Sequence, residues 1–201
     1  MSTIHPESLR ALQQENARLK DENRDLQDEI RYLRLAIRAL NELEGELDHI
    51  SSDVDVFGVI ENILAYALHA VNAVSGSLLL LDPEKDELVF VAVSGASGDE
   101  LVGYRIPSHA GIAGHVVSQR EPMLVQDVRK EPKWFPEVDQ AIGFQTRSLM
   151  CAPVIDSERV FGVLEIVNKQ NDMLFDDNDL DILRLVARFA ALLLVRTEQI
   201  A

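Results

Sequence analysis

The feature that most constrains this chain is a seven-residue repeat of apolar side chains within residues 1–50. Its positions alternate in steps of three and four, and leucine stands at every d position, which is the pattern of a two-stranded coiled coil. The alternative, a helix packed on its own domain, normally shows a wider apolar face than this two-position seam. We therefore predict that residues 1–50 form a coiled coil that holds two copies of the chain together. The seam positions are Leu9, Leu12, Asn16, Leu19, Asn23, Leu26, Ile30, Leu33, Ile37 and Leu40.

Two asparagines on the seam predict the orientation of this dimer. Asn16 and Asn23 stand at a positions, where a buried amide can pair with its twin across a parallel dimer axis. Such layers select a parallel, two-stranded register at some cost in stability. The flanking charges agree, because Glu15 would face Lys20 across the dimer with opposite sign. The predicted partner is therefore a second copy of the chain, in parallel.

The repeat changes register after Leu40. The next apolar positions are Leu43, Leu47 and Ile50, so one step of three follows another, and Gly45 lies inside the change. A stammer of this kind overwinds a coiled coil locally. Two alternatives stay open: the helix continues through a strained joint, or it breaks near Gly45.

Composition excludes several classes of function. A net charge of −15 argues against a broad nucleic-acid or anionic-membrane surface, since both need clustered lysine and arginine. The single cysteine, Cys151, excludes an internal disulfide and argues against a cysteine-based zinc site. Residues 1–30 lack the apolar core of a signal peptide, and the most apolar run, residues 189–195, is too short to cross a bilayer. We therefore expect a cytoplasmic protein without nucleic-acid or membrane partners.

Residues 51–201 carry the pattern of a second domain, of the α+β class. Apolar periodicity, turn residues and β-rich runs predict an antiparallel sheet flanked by terminal helices. Residues 129–146 contain two prolines and the one tryptophan of the chain, and they predict a long excursion with one helical turn. The predicted elements are helix 54–71, strands 77–82 and 87–93, helix 111–119, strands 123–128, 147–155 and 160–168, and helix 176–200.

Three stretches of this domain resemble a known family. They are GIAGHVVSQREP at 111–122, GFQTRSLMCAPV at 143–154 and FGVLEIVNKQNDMLFDDND at 161–179. Together they resemble the GAF domain, the ligand-sensing module of bacterial signalling proteins and cyclic nucleotide phosphodiesterases. The third stretch is similar to the NKFD-type signature of cyclic-nucleotide-associated members, which implies a pairing of Lys169 with Asp179 that shapes the pocket lid. The signature positions are Asn168, Lys169, Phe175 and Asp179.

The resemblance also implies a ligand-binding set, with a cyclic nucleotide as the leading candidate ligand and no other cofactor or metal. Three positions depart from the binding members. Val93 and Ser94 stand where an aromatic side chain and an aspartate can serve the base, and Ile142 stands where a threonine can. Because one base stack is worth about 1–3 kcal/mol, other small ligands, or none, stay open alternatives. The implied positions are Ser77, Ser94, Ile112, Ala113, Asp139, Thr146 and Glu165.

Two pairs of residues near this set admit two interpretations each. Gly111 and Gly114 open a short helix whose N–H groups can face an anion, or they simply permit the turn and close helix packing. Trp134 and Phe135 form either a mobile lid over the pocket or a surface loop pinned against the core.

Catalytic chemistry has little support in the sequence. Cys151 is interpreted as a small core hydrophobe, because bilin attachment would need a following histidine and sulfoxide reduction several cysteines. His109 and His115 are six residues apart, a spacing that does not make a metal pair on one helix face. Asp139 and Glu165 are single carboxylates without an activated nucleophile beside them. We therefore expect a protein that is not an enzyme.

The predicted function is that of a dimeric signal-transduction protein whose GAF domain binds a small regulatory ligand and relays its occupancy through the dimer helices. A ligandless platform for dimerisation or protein interaction is the alternative. The last predicted helix ends shortly before Ala201. The chain is accordingly expected to be either a piece of a larger regulator or a protein that acts on a separate output partner.

Overall fold

The computed structural model describes residues 12–20, 23, 56–96, 98–157 and 159–200. The chain divides into two units, Met1–Leu43 and Glu44–Ala201, which are taken separately here. In the described part of the chain, no helix combines the length and the apolar character that a membrane span requires.

The described residues of the first unit are helical. Residues 12–20 form a helix on which Arg18 pairs with Glu15 at 2.6 Å. The seam leucines of this stretch, Leu12 and Leu19, expose 63% and 52% of their surface within the single chain. The helix is thus confirmed here, whereas the pairing of two helices stays a prediction. The seam positions Leu12, Asn16 and Leu19 fall within this helix, and Asn23 is described as helical by itself. The seam positions outside the described residues are Leu9, Leu26, Ile30, Leu33, Ile37 and Leu40.

The second unit is built on one antiparallel sheet, as predicted. The described residues form six strands in the order β3-β2-β1-β6-β5-β4, and every neighbouring pair is antiparallel. The strands are β1 (Ala73–Asp82), β2 (Glu87–Gly95), β3 (Arg105–Pro107), β4 (Met123–Val125), β5 (Leu149–Asp156) and β6 (Arg159–Lys169). The helices are α1 (Val56–Val71), α2 (Gly111–Gln119), α3 (Glu137–Ile142) and α4 (Asp177–Ile200), with short 3-10 turns at Asp99–Leu101, Val128–Lys130 and Gln170–Asp172.

The two long helices cover one face of the sheet. Helix α4 packs on β5 and against α1, which in turn lies on β1 and β2. A side chain at Gly76 has no room, because its Cβ would stand 2.9 Å from the Glu165 carbonyl oxygen and 3.0 Å from Leu64 Cδ1 on α1. This close approach seats α1 on the middle of the sheet and leaves the opposite face to α2 and residues 129–146.

The elements differ from the predictions at four main places. Strand β1 begins at Ala73, four residues before its predicted start at Ser77. Strand β3 was not predicted, since Arg105–Pro107 is too short to show any periodicity. The predicted strand 123–128 ends at Val125, because the Asp127 carboxylate accepts a hydrogen bond from the Arg129 N–H and starts a 3-10 turn. The excursion at 129–146 contains the six-residue helix α3 in addition to one helical turn.

Candidate ligand-binding cavity

A row of five side chains crosses the middle of the sheet on the face opposite α1 and α4. Ser77 on β1 pairs with Val93 on β2 and with Glu165 on β6, Glu165 pairs with Cys151 on β5, and Cys151 pairs with Met123 on β4. Directly opposed residues of paired strands point to the same face of a sheet. The register therefore places one carboxylate at the centre of an otherwise nearly apolar surface.

A cavity of about 60 Å³ lies above this row. Its floor includes Ser77 and Glu165, one wall is the first turn of α2, and the remaining wall comes from the 129–146 segment. The lining side chains of that segment are Trp134, Phe135, Val138, Asp139, Ile142, Phe144 and Thr146. The cavity is thus bordered on one side by a stretch of chain that lies outside the sheet.

Glu165 is the half-buried acid of the cavity floor, between Ser77 on β1 and Cys151 on β5. Burial raises the pKa of Glu165 to about 7, although a hydrogen bond with the Cys151 thiol acts in the opposite direction. Burial, together with the neighbouring Glu165 charge, raises the pKa of Cys151 well above that of a free thiol. Near neutral pH, Glu165 therefore exchanges readily between its two protonation states while Cys151 stays a thiol.

Asp139 lies at the opposite wall and is already held by a neighbour. The Thr146 backbone N–H donates to Asp139 Oδ2 at 2.7 Å, and the Thr146 hydroxyl donates to Asp139 Oδ1 at 2.8 Å. Both carboxylate oxygens are used, so this pair fastens α3 to the residues that lead into β5.

The glycines of α2 are explained by close packing. Gly111 has a φ of 68°, and a Cβ there would stand 2.9 Å from Phe135 Cβ. A Cβ at Gly114 would stand 2.3 Å from the His109 carbonyl carbon. The backbone N–H groups of a first helical turn have no partner within the helix, and in α2 the residues that carry them, Ile112 and Ala113, line the cavity. The turn-and-packing interpretation is therefore supported for both glycines, and an acceptor group facing α2 stays a prediction.

The signature residues form a junction behind the cavity wall. Asn168, with a φ of 59°, accepts from the Arg147 N–H at 2.7 Å and donates to the Gln145 carbonyl at 2.8 Å. Its neighbour Lys169 pairs with Asp179 at the start of α4 and lies 5.9 Å from the ring centre of buried Phe175. The implied pairing of Lys169 with Asp179 is present, and the partial burial of Asp179 raises its pKa.

The sequence profile that describes the GAF domain matches residues 54–195, which is more than half of the chain. This chain belongs to the GAF domain family. A cGMP-specific 3',5'-cyclic phosphodiesterase of Drosophila pseudoobscura pseudoobscura is 32% identical over 103 residues, a stretch that spans 50% of this chain and only 9% of that relative.

Solved GAF structures share the fold at low sequence identity. The GAF domain of a phosphoenolpyruvate-protein phosphotransferase from Coxiella burnetii is 18% identical, with a TM-score of 0.71 over 85% of this chain and 96% of that one. Free methionine-R-sulfoxide reductase from Neisseria meningitidis, solved with its substrate, is 21% identical, with a TM-score of 0.67 over 85% of this chain and 92% of that one. The fold therefore occurs both as a domain of a phosphotransferase and as a methionine sulfoxide reductase.

The GAF resemblance located most of the cavity. Six of its seven implied ligand positions line this one space: Ser77, Ile112, Ala113, Asp139, Thr146 and Glu165. Ser94 does not, because it pairs with Gly76 and lies one residue out of phase with the cavity face. Its carbonyl instead accepts the hydroxyl of Ser75 at 2.9 Å. Trp134 and Phe135 both line the cavity and are half-buried there.

One aromatic side chain in the wall of this GAF cavity, Phe90, is not indicated by the sequence pattern. Phe90 lines the cavity, although alternation from Val93 would point it to the other face. The register slips here, since Leu78 pairs with Ala92 while Leu79 pairs with Phe90, which leaves Val91 as the extra residue of a β-bulge. Phe90 thus supplies an aromatic ring to the cavity, three residues before Val93. Phe90 lies between two valines, Val89 and Val91, and this stretch has no glycine that would signal a bulge. Only the cross-strand pairing reveals it.

Proposed function

We propose that this protein is a dimeric regulatory sensor whose GAF domain binds a small ligand in the cavity above Glu165. The observation that carries the proposal is the convergence of Glu165, Ser77 and the first turn of α2 on one largely apolar space. Ligand sites commonly combine apolar walls with a few placed polar groups. An acid with a shifted pKa in a cleft is a further sign of such a site.

A cyclic nucleotide is the first ligand to test. The phosphodiesterase relative, the signature residues and the α2 turn support it, because a helix N-terminus can receive a phosphate. A ligand of drug size fills about 300–1,000 Å³, whereas this cavity measures about 60 Å³. Binding would therefore displace the 129–146 segment outward as a lid. None of the six residues of α3 is fully buried, and Val138 and Ile142 are the two that pack against the core.

A route from lid to helix is built from two neighbouring residues. Asn168 holds the chain where the 129–146 segment leads into β5, and Lys169 holds Asp179 at the start of α4. Movement of the lid would thereby reach a long helix of the domain. For a relay, the ligand must favour one of two arrangements, and the stammer after Leu40 is the place in the sequence suited to absorb a change of helix angle.

The dimer rests on the seam pattern and on its exposure. Leu12 and Leu19 leave more than half of their surface accessible in the single chain, which a partner helix would cover. Light scattering on the full chain should give twice the chain mass, and replacing Asn16 and Asn23 by leucine should alter the oligomer state. A monomeric wild-type chain at micromolar concentration would remove the dimer from the proposal.

Ligand binding is tested by thermal unfolding with a panel of nucleotides and metabolites. A ligand at one hundred times its dissociation constant stabilises the folded state by about 2.7 kcal/mol. Trp134, the one tryptophan of the chain, lines the cavity and gives an independent fluorescence signal. If neither signal responds to any compound, the ligandless platform becomes the better account.

We propose a regulatory role and no catalytic one. The fold is shared with a methionine sulfoxide reductase, but this chain carries one cysteine, which is fully buried beside Glu165. A raised thiol pKa makes Cys151 a poor nucleophile at neutral pH. Turnover of methionine sulfoxide by the purified chain would overturn this part of the proposal.

A further inference from the structure

The charge of the cavity has one sign. Among the described residues that line it, the ionisable ones are Asp139 and Glu165, and none is lysine, arginine or histidine. Thr146 already occupies both oxygens of Asp139. Glu165 is left as the carboxylate that faces the space. An anion placed near Glu165 would meet a like charge in a region of low dielectric, which is strongly unfavourable.

The walls of the cavity are rich in aromatic rings. Phe90 comes from the sheet, while Trp134, Phe135 and Phe144 come from the 129–146 segment. All four rings line the same cavity, so a group bound there meets aromatic side chains from the sheet and from the 129–146 segment. The faces of aromatic rings attract cations that lie within about 6 Å, and aromatic cages with a nearby acid are used to bind quaternary ammonium groups.

We propose that the ligand of this GAF cavity carries a small organic ammonium group, which Glu165 and the aromatic walls receive. The inference rests on the proposed sensor function and names its ligand class. The first turn of α2, at Ile112 and Ala113, lies on another wall of the same cavity. Its N–H groups suit an acceptor oxygen, so a hydroxylated ammonium of the choline type matches both ends of the cavity.

Proton linkage gives the proposal a second signature. Because the pKa of Glu165 is about 7, an ammonium group that needs the ionised acid must expel a proton when it binds at lower pH. The groups that face Glu165 from its neighbours are Cys151 on β5, which stays a thiol, Ser77 on β1, and Asp139 and Thr146 from the 129–146 segment. The described cavity-lining residues of α2 and β2 add no titratable side chain. Affinity should thus rise about tenfold between pH 6 and pH 8.

The test compares choline, tetramethylammonium and ethanolamine with 3,3-dimethyl-1-butanol, the neutral carbon isostere of choline. Calorimetry and Trp134 fluorescence are recorded on the full chain at pH 6 and pH 8, with chloride matched throughout. We expect at least one ammonium compound to bind at least tenfold more tightly than the isostere. Glu165→Gln should abolish that preference and the pH dependence, whereas Glu121→Gln, the same change at an exposed site, should preserve both.

A second variant keeps the proposal testable if the Glu165→Gln protein does not fold. Phe144→Leu keeps an apolar wall but removes one ring, so it should lower the affinity for the ammonium compound more than the affinity for the isostere. Equal affinity for charged and neutral compounds, or binding that ignores pH, would overturn the ammonium proposal. Binding of a cyclic nucleotide without any response to the three amines would overturn it too and leave the sensor function standing. If no compound of either kind binds, the sensor function itself fails.

Discussion

Thr146 donates hydrogen bonds to both carboxylate oxygens of Asp139, from its backbone N–H to Oδ2 at 2.7 Å and from its hydroxyl to Oδ1 at 2.8 Å. The two residues stand seven positions apart, so the pair fastens α3 to the residues that lead into β5. The same two residues line the cavity. The contact, called the clasp below, therefore fastens the segment that covers the cavity, and in the proposed sensor it would have to yield for that segment to move.

Thr146→Val should loosen this clasp. Valine keeps the shape of threonine but removes the hydroxyl, which leaves Asp139 Oδ1 without that donor and costs about 1–2 kcal/mol. Hydrogen exchange should accelerate in residues 129–146 while the amides of β1 and β6 keep their protection. Thr197→Val is the matched control, because the Thr197 hydroxyl bonds the Leu193 carbonyl on α4, away from the cavity lining. Equal acceleration in both variants would contradict a clasp.

Gly111 and Gly143 form a pair that separates backbone strain from crowding. Both have left-handed backbone, with φ of 68° and 65°. A Cβ at Gly143 meets nothing within 4 Å, whereas one at Gly111 stands 2.9 Å from Phe135 Cβ. Gly143→Ala should cost about 1–2 kcal/mol from conformation alone. Gly111→Ala should cost about 1–3 kcal/mol more, because Phe135 must shift.

Urea unfolding of the two alanine variants measures that difference. Circular dichroism reports the sheet and Trp134 fluorescence reports the cavity wall, so a local shift can be told from a global loss. Equal losses for the two substitutions would mean that Phe135 yields freely and that α2 is not tightly packed against it.

The strands of the fold could be predicted where apolar runs are long. Strands β1, β2, β5 and β6 have eight to eleven residues and carry the pattern of buried sheet. The three-residue strand β3 was invisible, because its residues pair only once β2 is in place beside it. Short edge strands are decided by the neighbour they meet and not by their own sequence.

The family resemblance predicted the lining of the cavity in outline, and the two residues that it misplaced have one cause. Ser94 was assigned to the cavity and Phe90 was not, and both outcomes follow from the register of β2 on β1. A one-residue slip moves a side chain to the opposite face of a sheet. The clasp of Asp139 by Thr146 was also missed, because two pocket positions seven residues apart give no sign in the sequence that their side chains bond each other.

Asn168→Ala should destabilise the domain well beyond the effect of its backbone conformation. Asn168 accepts from the N–H groups of Arg147 and Ser148, at 2.7 and 3.3 Å, and donates to the Gln145 carbonyl. Removing the side-chain amide deprives these backbone groups of their hydrogen-bond partner, which should lower the free energy of unfolding by about 2–3 kcal/mol in total. Asn171→Ala is the control, since Asn171 is exposed and has a similar φ of 56°. In chemical denaturation, the Asn168→Ala variant should be clearly less stable than the Asn171→Ala variant. Similar midpoints for the two variants would contradict a structural role for the Asn168 side chain.

Glu165 should make the domain less stable as pH rises from about 5 to 8. In the unfolded chain its carboxyl ionises near pH 4.5, whereas burial raises the pKa to about 7 in the folded state. Between these values the folded protein binds more protons than the unfolded chain, so the free energy of unfolding falls with pH. The full difference corresponds to about 3 kcal/mol. Asp179 contributes in the same direction, because burial also raises its pKa.

Glu165→Gln isolates the part of this slope that belongs to Glu165. The amide keeps the size of the acid but never ionises, so the variant should be flatter between pH 5 and 8 and more stable than the wild type at pH 8. Urea unfolding at half-unit pH steps measures both curves, with Glu121→Gln as the exposed counterpart that should follow the wild type. Because Asp179 remains in the variant, some slope should persist at the acidic end. A Glu165→Gln curve parallel to the wild type would mean that Glu165 ionises at an ordinary pH in the folded protein, and that its carboxylate is better solvated than its place between β1 and β5 implies.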